Sequence, residues 1–197
     1  MSLRVLHLDS AATWRGGQNQ VLLTAKGMAR RDHDSVVACR AGAPLEDRAR
    51  AAGLEVRAVP FRGDLWPPAI LALARTLRRD RPRALLLHDP HAVSAGLVAS
   101  RLAGRAALVA VRRVDVPLRG AFSRWKYAAC DRVIVVSRAI GAVVESGGLE
   151  PARLRLVYDG VADRPPQPWG REALAELGIP PGAPVVGNVA ALTGHKV

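Results

Sequence analysis

Short apolar runs alternate with amphipathic segments along most of the chain. Each run is rich in valine and leucine and is bounded by turn residues, which is the pattern of a buried strand. The segment after each run carries apolar residues at helical spacing and is predicted to be a helix. The predicted strands are 3–9, 35–39, 56–59, 84–87, 107–111, 132–136 and 154–157, and the predicted helices are 18–31, 45–52, 67–79, 92–102, 122–129 and 139–146.

This alternation of strand and helix defines the fold class. Parallel strands need crossover connections, usually helices, and the helices cover both faces of the sheet. We therefore expect an α/β protein with a doubly wound parallel sheet of the Rossmann type. Ligands in such sheets bind beyond the carboxyl ends of the strands. The loops that follow the predicted strands are thus where candidate site residues are expected.

The composition of the sequence changes near residue 161 and indicates three parts. Residues 1–161 form a complete Rossmann-like domain, and the proline-rich residues 162–170 form an interdomain linker. Residues 171–197 contain one more helix and one more strand, at 185–189, as at the start of a second α/β domain. A single parallel strand cannot satisfy its backbone hydrogen bonds alone. That strand is expected either to be disordered or to exchange between chains and form a homodimer.

The chain of 197 residues carries a formal charge of +12, almost wholly from arginine. The arginines are spread over nearly every segment without an aromatic platform for stacking bases, so no nucleic-acid partner is expected. Peripheral contact with an anionic membrane stays open. No apolar run approaches the ~20 residues that span a bilayer, and the first run ends in Asp9 without a cleavage site. These features predict a cytoplasmic protein, at most peripheral to the inner face of the membrane.

The first strand is followed by the glycine pair Gly16-Gly17 and then by Gln18, where the first helix begins. A helix start presents unpaired N–H groups and the positive end of the helix dipole, and glycine lets a ligand approach the backbone closely. The loop is therefore predicted to cradle a phosphate, the alternative being a plain turn from strand to helix. The third glycine of a dinucleotide fingerprint is absent, which argues against a dinucleotide site.

Two patterns have the spacing of metal ligands. His88 and His91 are three positions apart, and Asp32-His33-Asp34 has an Asp-x-Asp shape. No further ligand accompanies the histidines, and a histidine at a strand end close to proline is equally a turn residue or an acceptor-site residue. The acidic triplet lies on the turn that enters a strand, away from the carboxyl ends that bind ligands. We expect no metal site.

Several motifs in order resemble the retaining glycosyltransferases of the GT-B fold, in particular family 4. They are Gly16-Gly17, His88-Asp89-Pro90, the segment from Asp131 to Ala139, Val157-Tyr158-Asp159-Gly160-Val161, and the run from Val186-Gly187 to His195-Lys196. No single motif is decisive, but their order at the strand ends of a doubly wound domain is a strong signal. The resemblance covers the complete N-terminal domain and the first strand of a C-terminal domain.

The resemblance implies transfer of a sugar, with retention, from a nucleotide-diphospho-sugar to a cell-envelope, lipid or glycan acceptor. It implies no metal and no cofactor besides the donor substrate, because helix amides and basic side chains hold the diphosphate. Gly16, Gly17 and Gln18 would bind from the N-terminal domain and Lys196 from the C-terminal domain. The family's catalytic loops lie in the C-terminal domain, so no catalytic residue is assigned and this chain alone is expected to be inactive. The alternatives are a sugar-nucleotide epimerase of the same fold and a non-catalytic nucleotide- or anion-binding Rossmann domain.

The sequence departs from the family pattern after the fifth strand. Many members carry a histidine there, near the sugar, whereas this chain has Arg112 and Arg113, with Asp115 two residues further on. A guanidinium cannot act as a general base, but it binds a phosphate or carboxylate in bidentate fashion. We assign these three residues and His88 to substrate binding. The alternative for the arginines is a structural ion pair with Asp115.

Overall fold

The computed structural model describes residues 2–104, 106–161 and 170–187. Within 2–161, the described residues form seven strands and six α-helices in alternation, with one short 3-10 helix at Pro151–Arg153. The strands are β1 Arg4–Asp9, β2 Asp34–Arg40, β3 Glu55–Val59, β4 Ala84–Leu87, β5 Ala107–Arg112, β6 Arg132–Val135 and β7 Leu154–Leu156, and the helices are α1 Gly16–Ala29, α2 Pro44–Ala51, α3 Pro67–Asp80, α4 Pro90–Ala103, α5 Gly120–Ala128 and α6 Arg138–Ser146. The strands and helices predicted for this region are confirmed, with small differences at their ends.

The seven strands form one parallel sheet in the order β3-β2-β1-β4-β5-β6-β7. The chain proceeds outwards from β1 to β3, returns through α3 to β4, and proceeds outwards again to β7. β1 and β4 are therefore neighbours, with Leu8 opposite Leu87, and the chain leaves their carboxyl ends in opposite directions. Doubly wound sheets bind ligands at such a switch point. The predicted Rossmann-like fold class is confirmed.

Each face of the sheet has its own apolar core, because successive side chains of a strand point to opposite faces. On one face, Leu6 and Leu8 belong to a cluster with residues of α3 to α6, such as Tyr127. On the other face, Val37 belongs to a cluster with residues of α1 and α2, such as Val21. The alternation of side chains along a strand thus decides to which face of the sheet a polar residue near the end of that strand points.

The Asp32-His33-Asp34 segment is a turn, as predicted. Asp32 has a positive φ of 61° in the turn after α1, and Asp34 is the first residue of β2. The Asp34 carboxylate accepts a hydrogen bond from Arg4 at 2.7 Å. These groups lie at the amino end of the sheet, away from the carboxyl ends of the strands.

Residues 162–197 form a second compact unit, of which 170–187 are described. This part contains the helix α7, Gly170–Glu176, close to the predicted helix. The strand predicted at 185–189 is wrong for residues 185–187, which have no strand conformation. A strand needs a hydrogen-bonded neighbour, and residues 170–187 supply none. Residues 188 and 189 lie outside the described residues, so the described segment offers no strand edge for the exchange that would form a homodimer.

Candidate functional site

The carboxylate of Asp89 joins the carboxyl ends of β1 and β4. It accepts hydrogen bonds from the backbone N–H of Ser10 at 2.6 Å and from the Ser10 hydroxyl at 2.7 Å. It also accepts from the N–H groups of His91 and Ala92, each at 2.9 Å, and is therefore the N-cap of α4. One side chain fixes the loop after β1 and starts the helix after β4.

The loop after β1 enters α1 through the glycine pair. Gly16 is exposed and Gly17 is half-buried, and both lie in the first helical turn, where backbone N–H groups have no partner within the helix. Neither glycine has a positive φ, and a Cβ added to either would meet no atom within 4 Å. Backbone conformation and packing therefore do not require glycine at these positions. The space in front of the pair is open, as a phosphate-binding loop needs.

Gln18 lies behind the glycine pair and is buried. Its amide nitrogen donates to the Asp9 carboxylate at 3.0 Å, and its amide oxygen accepts from the N–H of Arg15 at 3.2 Å. Both ends of the amide thus hold the loop between β1 and α1. The side chain of Gln18, predicted to bind substrate, is therefore buried and holds the loop instead of facing solvent.

Asp9, at the end of β1, is a buried carboxyl group that the sequence analysis did not select. Burial, and after it the nearby Asp89 carboxylate, raise its pKa to about 6. Hydrogen bonds from Gln18 and from the N–H of Ala11 act the other way. Asp9 therefore changes its charge close to neutral pH, directly beneath the glycine loop.

A hydrogen-bonded chain of polar side chains crosses four neighbouring strands. Ser35 Oγ on β2 lies 3.0 Å from Nε2 of His7 on β1. Nδ1 of His7 lies 3.2 Å from Nε2 of His88, which follows β4. Nδ1 of His88 lies 3.1 Å from a terminal nitrogen of Arg113, which follows β5. We call these four residues the histidine chain. At its end, Nε of Arg113 donates to Asp159 at 3.0 Å.

The direction of every bond in the histidine chain follows from the guanidinium, which can only donate. His88 Nδ1 must accept from Arg113, so His88 carries its proton on Nε2 and donates to His7 Nδ1. His7 therefore carries its proton on Nε2 and donates to Ser35. Both rings are neutral. Burial, and then the charge of Arg113, lower the pKa of His7 to about 4, while burial, His7 and Arg113 lower the pKa of His88 well below 6.5.

Arg112 and Arg113 point to opposite faces of the sheet, as successive residues of a strand do. Arg113 joins the histidine chain, and its side chain is 14% exposed. Arg112 is buried on the other face, where it donates to the Tyr127 hydroxyl at 3.1 Å and to the carbonyl of Val116. The structure therefore separates the two arginines, which the sequence analysis had assigned to one binding role. Arg113 remains at the ligand-binding edge, whereas Arg112 holds the loop after β5 against α5.

Asp115 lies exposed in the loop after β5. The ion pair considered between Asp115 and an arginine is not formed in the described part of the chain. Arg113 pairs instead with Asp159, at the end of the segment that follows β7. Asp159 is a second carboxylate, after Asp9, that the sequence analysis did not select, because its Asp-Gly sequence looks like an ordinary turn.

The remaining predicted residues lie apart from the histidine chain or beyond the described residues. Nδ1 of His91 lies 2.6 Å from Asp64, and both side chains are exposed. His88 and His91 thus have different partners, and residues 2–104, 106–161 and 170–187 contain no group of three or more side chains that could hold a metal ion. Lys196 lies outside the described residues.

Solved structures of other proteins share this fold. HepE from Anabaena, in complex with UDP-glucose, matches with a TM-score of 0.66 at 18% identity, over 81% of this chain and 44% of HepE. A glycosyltransferase from Rickettsia africae matches with a TM-score of 0.68 at 12% identity, over 93% of this chain and 51% of that protein. A putative UDP-N-acetylglucosamine 2-epimerase from Listeria monocytogenes matches with a TM-score of 0.56 at 13% identity, over 78% and 44%. The chain spans about half the length of these proteins. The shared architecture is one half of the GT-B fold.

The sequence itself identifies the family. The model of Glycosyltransferase Family 4 matches residues 14–164, from the loop before α1 to the segment beyond β7. The chain belongs to this family. No curated protein sequence is significantly similar to it.

Proposed function

We propose that this chain is the acceptor-side part of an enzyme that transfers a sugar from a nucleotide-diphospho-sugar to a cell-envelope, lipid or glycan acceptor, with retention and without a metal or further cofactor. The observation that carries the proposal is one edge of the sheet, where an open glycine pair follows β1 and the guanidinium of Arg113, bonded to His88, follows β5, on either side of β4. Family membership supports the reaction class. The complex of HepE with UDP-glucose supports a nucleotide sugar as the donor.

The chemistry of glycosyl transfer fits these groups. The bond between the anomeric carbon and the diphosphate oxygen breaks, and a bond from that carbon to the acceptor oxygen forms. Negative charge grows on the leaving diphosphate, so N–H groups and cations aimed at it lower the barrier. We assign this role to the N–H groups of Gly16 and Gly17 at the positive end of α1, and to Lys196. Arg113 is assigned to a phosphate or carboxylate of the acceptor.

A lipid-linked acceptor at the cytoplasmic face of an anionic membrane is part of the proposal. The described residues contain no helix that is long and apolar enough to cross a membrane. On α5, Phe122 is 51% exposed and Trp125 is 45% exposed. Arg101 lies 5.3 Å from the Trp125 ring centroid. Aromatic side chains beside cations, on a chain with a formal charge of +12, support peripheral contact with anionic lipid.

The isolated 197-residue chain is expected to transfer no sugar, because the donor wall of the site belongs to a second domain. A two-domain protein in which a complete GT-B C-terminal domain follows residues 1–161 is expected to release nucleoside diphosphate from UDP-glucose or another nucleotide sugar when an acceptor is present. A coupled assay of nucleoside diphosphate release measures both. Robust turnover by the 197-residue chain would contradict the expectation.

Analysis of the sugar product, beside nucleoside diphosphate release, distinguishes the second candidate, a sugar-nucleotide epimerase, which has support from the fold of the Listeria protein. An epimerase needs no acceptor and leaves a sugar of inverted configuration. Conversion of UDP-N-acetylglucosamine without an acceptor would therefore favour the epimerase. Acceptor-dependent release favours transfer.

Replacing Arg113 by glutamine in the two-domain protein is expected to lower kcat/KM for the acceptor about 10- to 100-fold, the loss expected for one charge-assisted hydrogen bond. The loss should appear chiefly in the acceptor KM. Arg132→Gln is the matched control, because Arg132 is exposed and donates to the backbone carbonyl of Asp131. Circular dichroism checks that both variants fold. Equal kinetics for the two variants would contradict the role of Arg113.

A further inference from the structure

His88 contacts Arg113 with one ring nitrogen and His7 with the other. The distances are 3.1 Å from His88 Nδ1 to Arg113 and 3.2 Å from His88 Nε2 to His7 Nδ1. His88 is 8% exposed and His7 is fully buried, so neither ring can turn freely to exchange its partners. The lone pair of His88 Nδ1 is therefore directed at the guanidinium.

The Arg113 guanidinium is held on two sides and open on the third. Nε donates to the Asp159 carboxylate, one terminal nitrogen donates to His88, and the other terminal nitrogen has no partner among the described residues. That nitrogen is not a buried, unsatisfied group, and the side chain is 14% exposed. The free N–H groups thus face an accessible space at the ligand-binding edge.

We propose that His88 is the positioning residue of Arg113. In this proposal His7 and Ser35 fix His88 in its Nε2–H tautomer, and His88 Nδ1 then holds the guanidinium so that its free N–H groups meet an anionic group of the acceptor. The inference rests on the proposed role of Arg113. A long side chain ordered in advance loses less entropy when it binds a ligand.

The charges around the histidine chain are compatible with this role. Asp159 pairs with Arg113 from the segment after β7, and Asp9 at the end of β1 feels the positive charge of Arg113, which lowers its pKa against the effect of burial. Neither carboxylate is hydrogen-bonded to His88. A protonated His88 would have no lone pair for Arg113 and would repel it. Burial keeps the ring neutral by lowering its pKa.

Two amide substitutions of His88 separate positioning from packing. In His88→Asn, the amide oxygen can take the place of Nδ1 and accept from Arg113, while the link to His7 is lost. In His88→Gln, the longer amide can take the place of Nε2 and keep the link to His7, while the acceptor for Arg113 is lost. Glutamine is closer to histidine in volume, so if His88 only fills space, His88→Gln should disturb Arg113 less than His88→Asn does. If His88 positions Arg113, His88→Asn should keep the guanidinium ordered and His88→Gln should not.

The readout is the Arg113 Nε–H resonance in nitrogen-15 NMR of the 197-residue chain. We expect a shifted, slowly exchanging signal in the unaltered protein and in His88→Asn. In His88→Gln we expect at least about tenfold faster exchange. His91→Asn is the control, because His91 is exposed and bonded to Asp64, and it should leave the signal unchanged. Equal exchange in the two His88 variants, or slower exchange in His88→Gln, overturns the proposal.

The ring nitrogen shifts of the unaltered protein give a second test that no failure of folding can obscure. His88 and His7 should both show the Nε2–H tautomer at neutral pH. A proton on Nδ1 of His88 overturns the proposal, because that nitrogen could then not accept from Arg113. Neither measurement requires sugar transfer, so a failure here is distinguishable from a failure of the proposed function.

Discussion

Acidification from pH 7 to pH 4 is expected to lower the free energy of unfolding of the first compact unit, residues 1–161. In His7→Gln this decrease is expected to be about 3 kcal/mol smaller. The pKa of His7 falls from 6.5 to about 4 on folding. Between these values the unfolded chain binds a proton that the folded chain does not. The contribution of His7 to the free energy of unfolding is therefore fully present above pH 6.5 and is lost as the pH falls towards 4. His88, whose pKa is also lowered, acts in the same direction.

The titration of Asp9 changes stability with pH in the opposite direction, so Asp9 supplies the control. Its pKa rises from 3.8 to about 6 on folding, so the folded chain holds this proton more tightly. The stability that Asp9 contributes is present at acid pH and is lost as the pH rises through 6. Asp9→Asn removes that contribution, so the loss of stability between pH 7 and pH 4 should be about 2 kcal/mol larger in this variant than in the unaltered protein.

Urea denaturation followed by circular dichroism, repeated between pH 7 and pH 4, measures both effects. The pH profile of His7→Gln should be flatter than that of the unaltered protein, and the profile of Asp9→Asn should be steeper. The comparison uses the change with pH within each variant, so a constant loss of stability from either substitution does not affect it. Profiles that change in the same direction would contradict the assigned charge states.

Asp89→Ala is expected to lower the free energy of unfolding by about 3 kcal/mol. Loss of an N-cap costs about 1 kcal/mol, and the N–H and hydroxyl of Ser10 lose their acceptor as well, which adds a penalty of about 1–3 kcal/mol. Ser137→Ala is the matched control. Ser137 is the N-cap of α6 and accepts from the N–H of Ile140 at 3.1 Å, so its loss should cost only about 1 kcal/mol.

Denaturation at neutral pH compares the two cap variants. Equal losses would mean that the bonds from Asp89 to Ser10 contribute nothing to stability. A second measurement is independent of the total stability. Since the Asp89 carboxylate raises the pKa of Asp9, Asp89→Ala should also lower the pKa of Asp9, which a carbon-13 titration of the carboxyl group detects.

The sheet could be predicted from sequence because its signal is local. Each buried strand appears as an apolar run, and each crossover helix has its own apolar stripe. Strict alternation of the two then leaves few topologies open. The strand predicted at 185–189 lacked this support. An apolar run such as Val185-Val186 is compatible with a strand, but neighbours decide whether one forms, and the described residues 170–187 contain none.

The placement of the candidate residues at the carboxyl ends of the strands could be predicted, but the histidine chain could not. Gly16, His88 and Arg113 all follow predicted strands, which places them at one edge. Contact between His7 and His88 depends on the pairing of β1 with β4, two strands that are distant in sequence. From the sequence, His7 is a single polar residue in an apolar run, which indicates a hydrogen-bonded residue in the core but does not indicate its partner.

The different positions of Arg112 and Arg113 follow from a signal that the sequence does contain. Leu108 and Ala110 are buried in the same core as Tyr127, and Arg112 continues their alternation along β5. It therefore points into that face, and Arg113 points to the other. Applying the alternation beyond the last apolar residue of a strand would have assigned the two arginines correctly.

The chain leaves the first unit through two anchored residues. The carbonyl of Gly160 accepts a hydrogen bond from Gln20 of α1 at 2.7 Å, and the carboxylate of Asp159 holds Arg113. Both residues directly precede Val161, the last residue of that unit. A displacement of the backbone next to Val161 would therefore act directly on the first helix and on the guanidinium, through these two hydrogen bonds. The last residues of this unit are thus bonded directly to two parts of the candidate site.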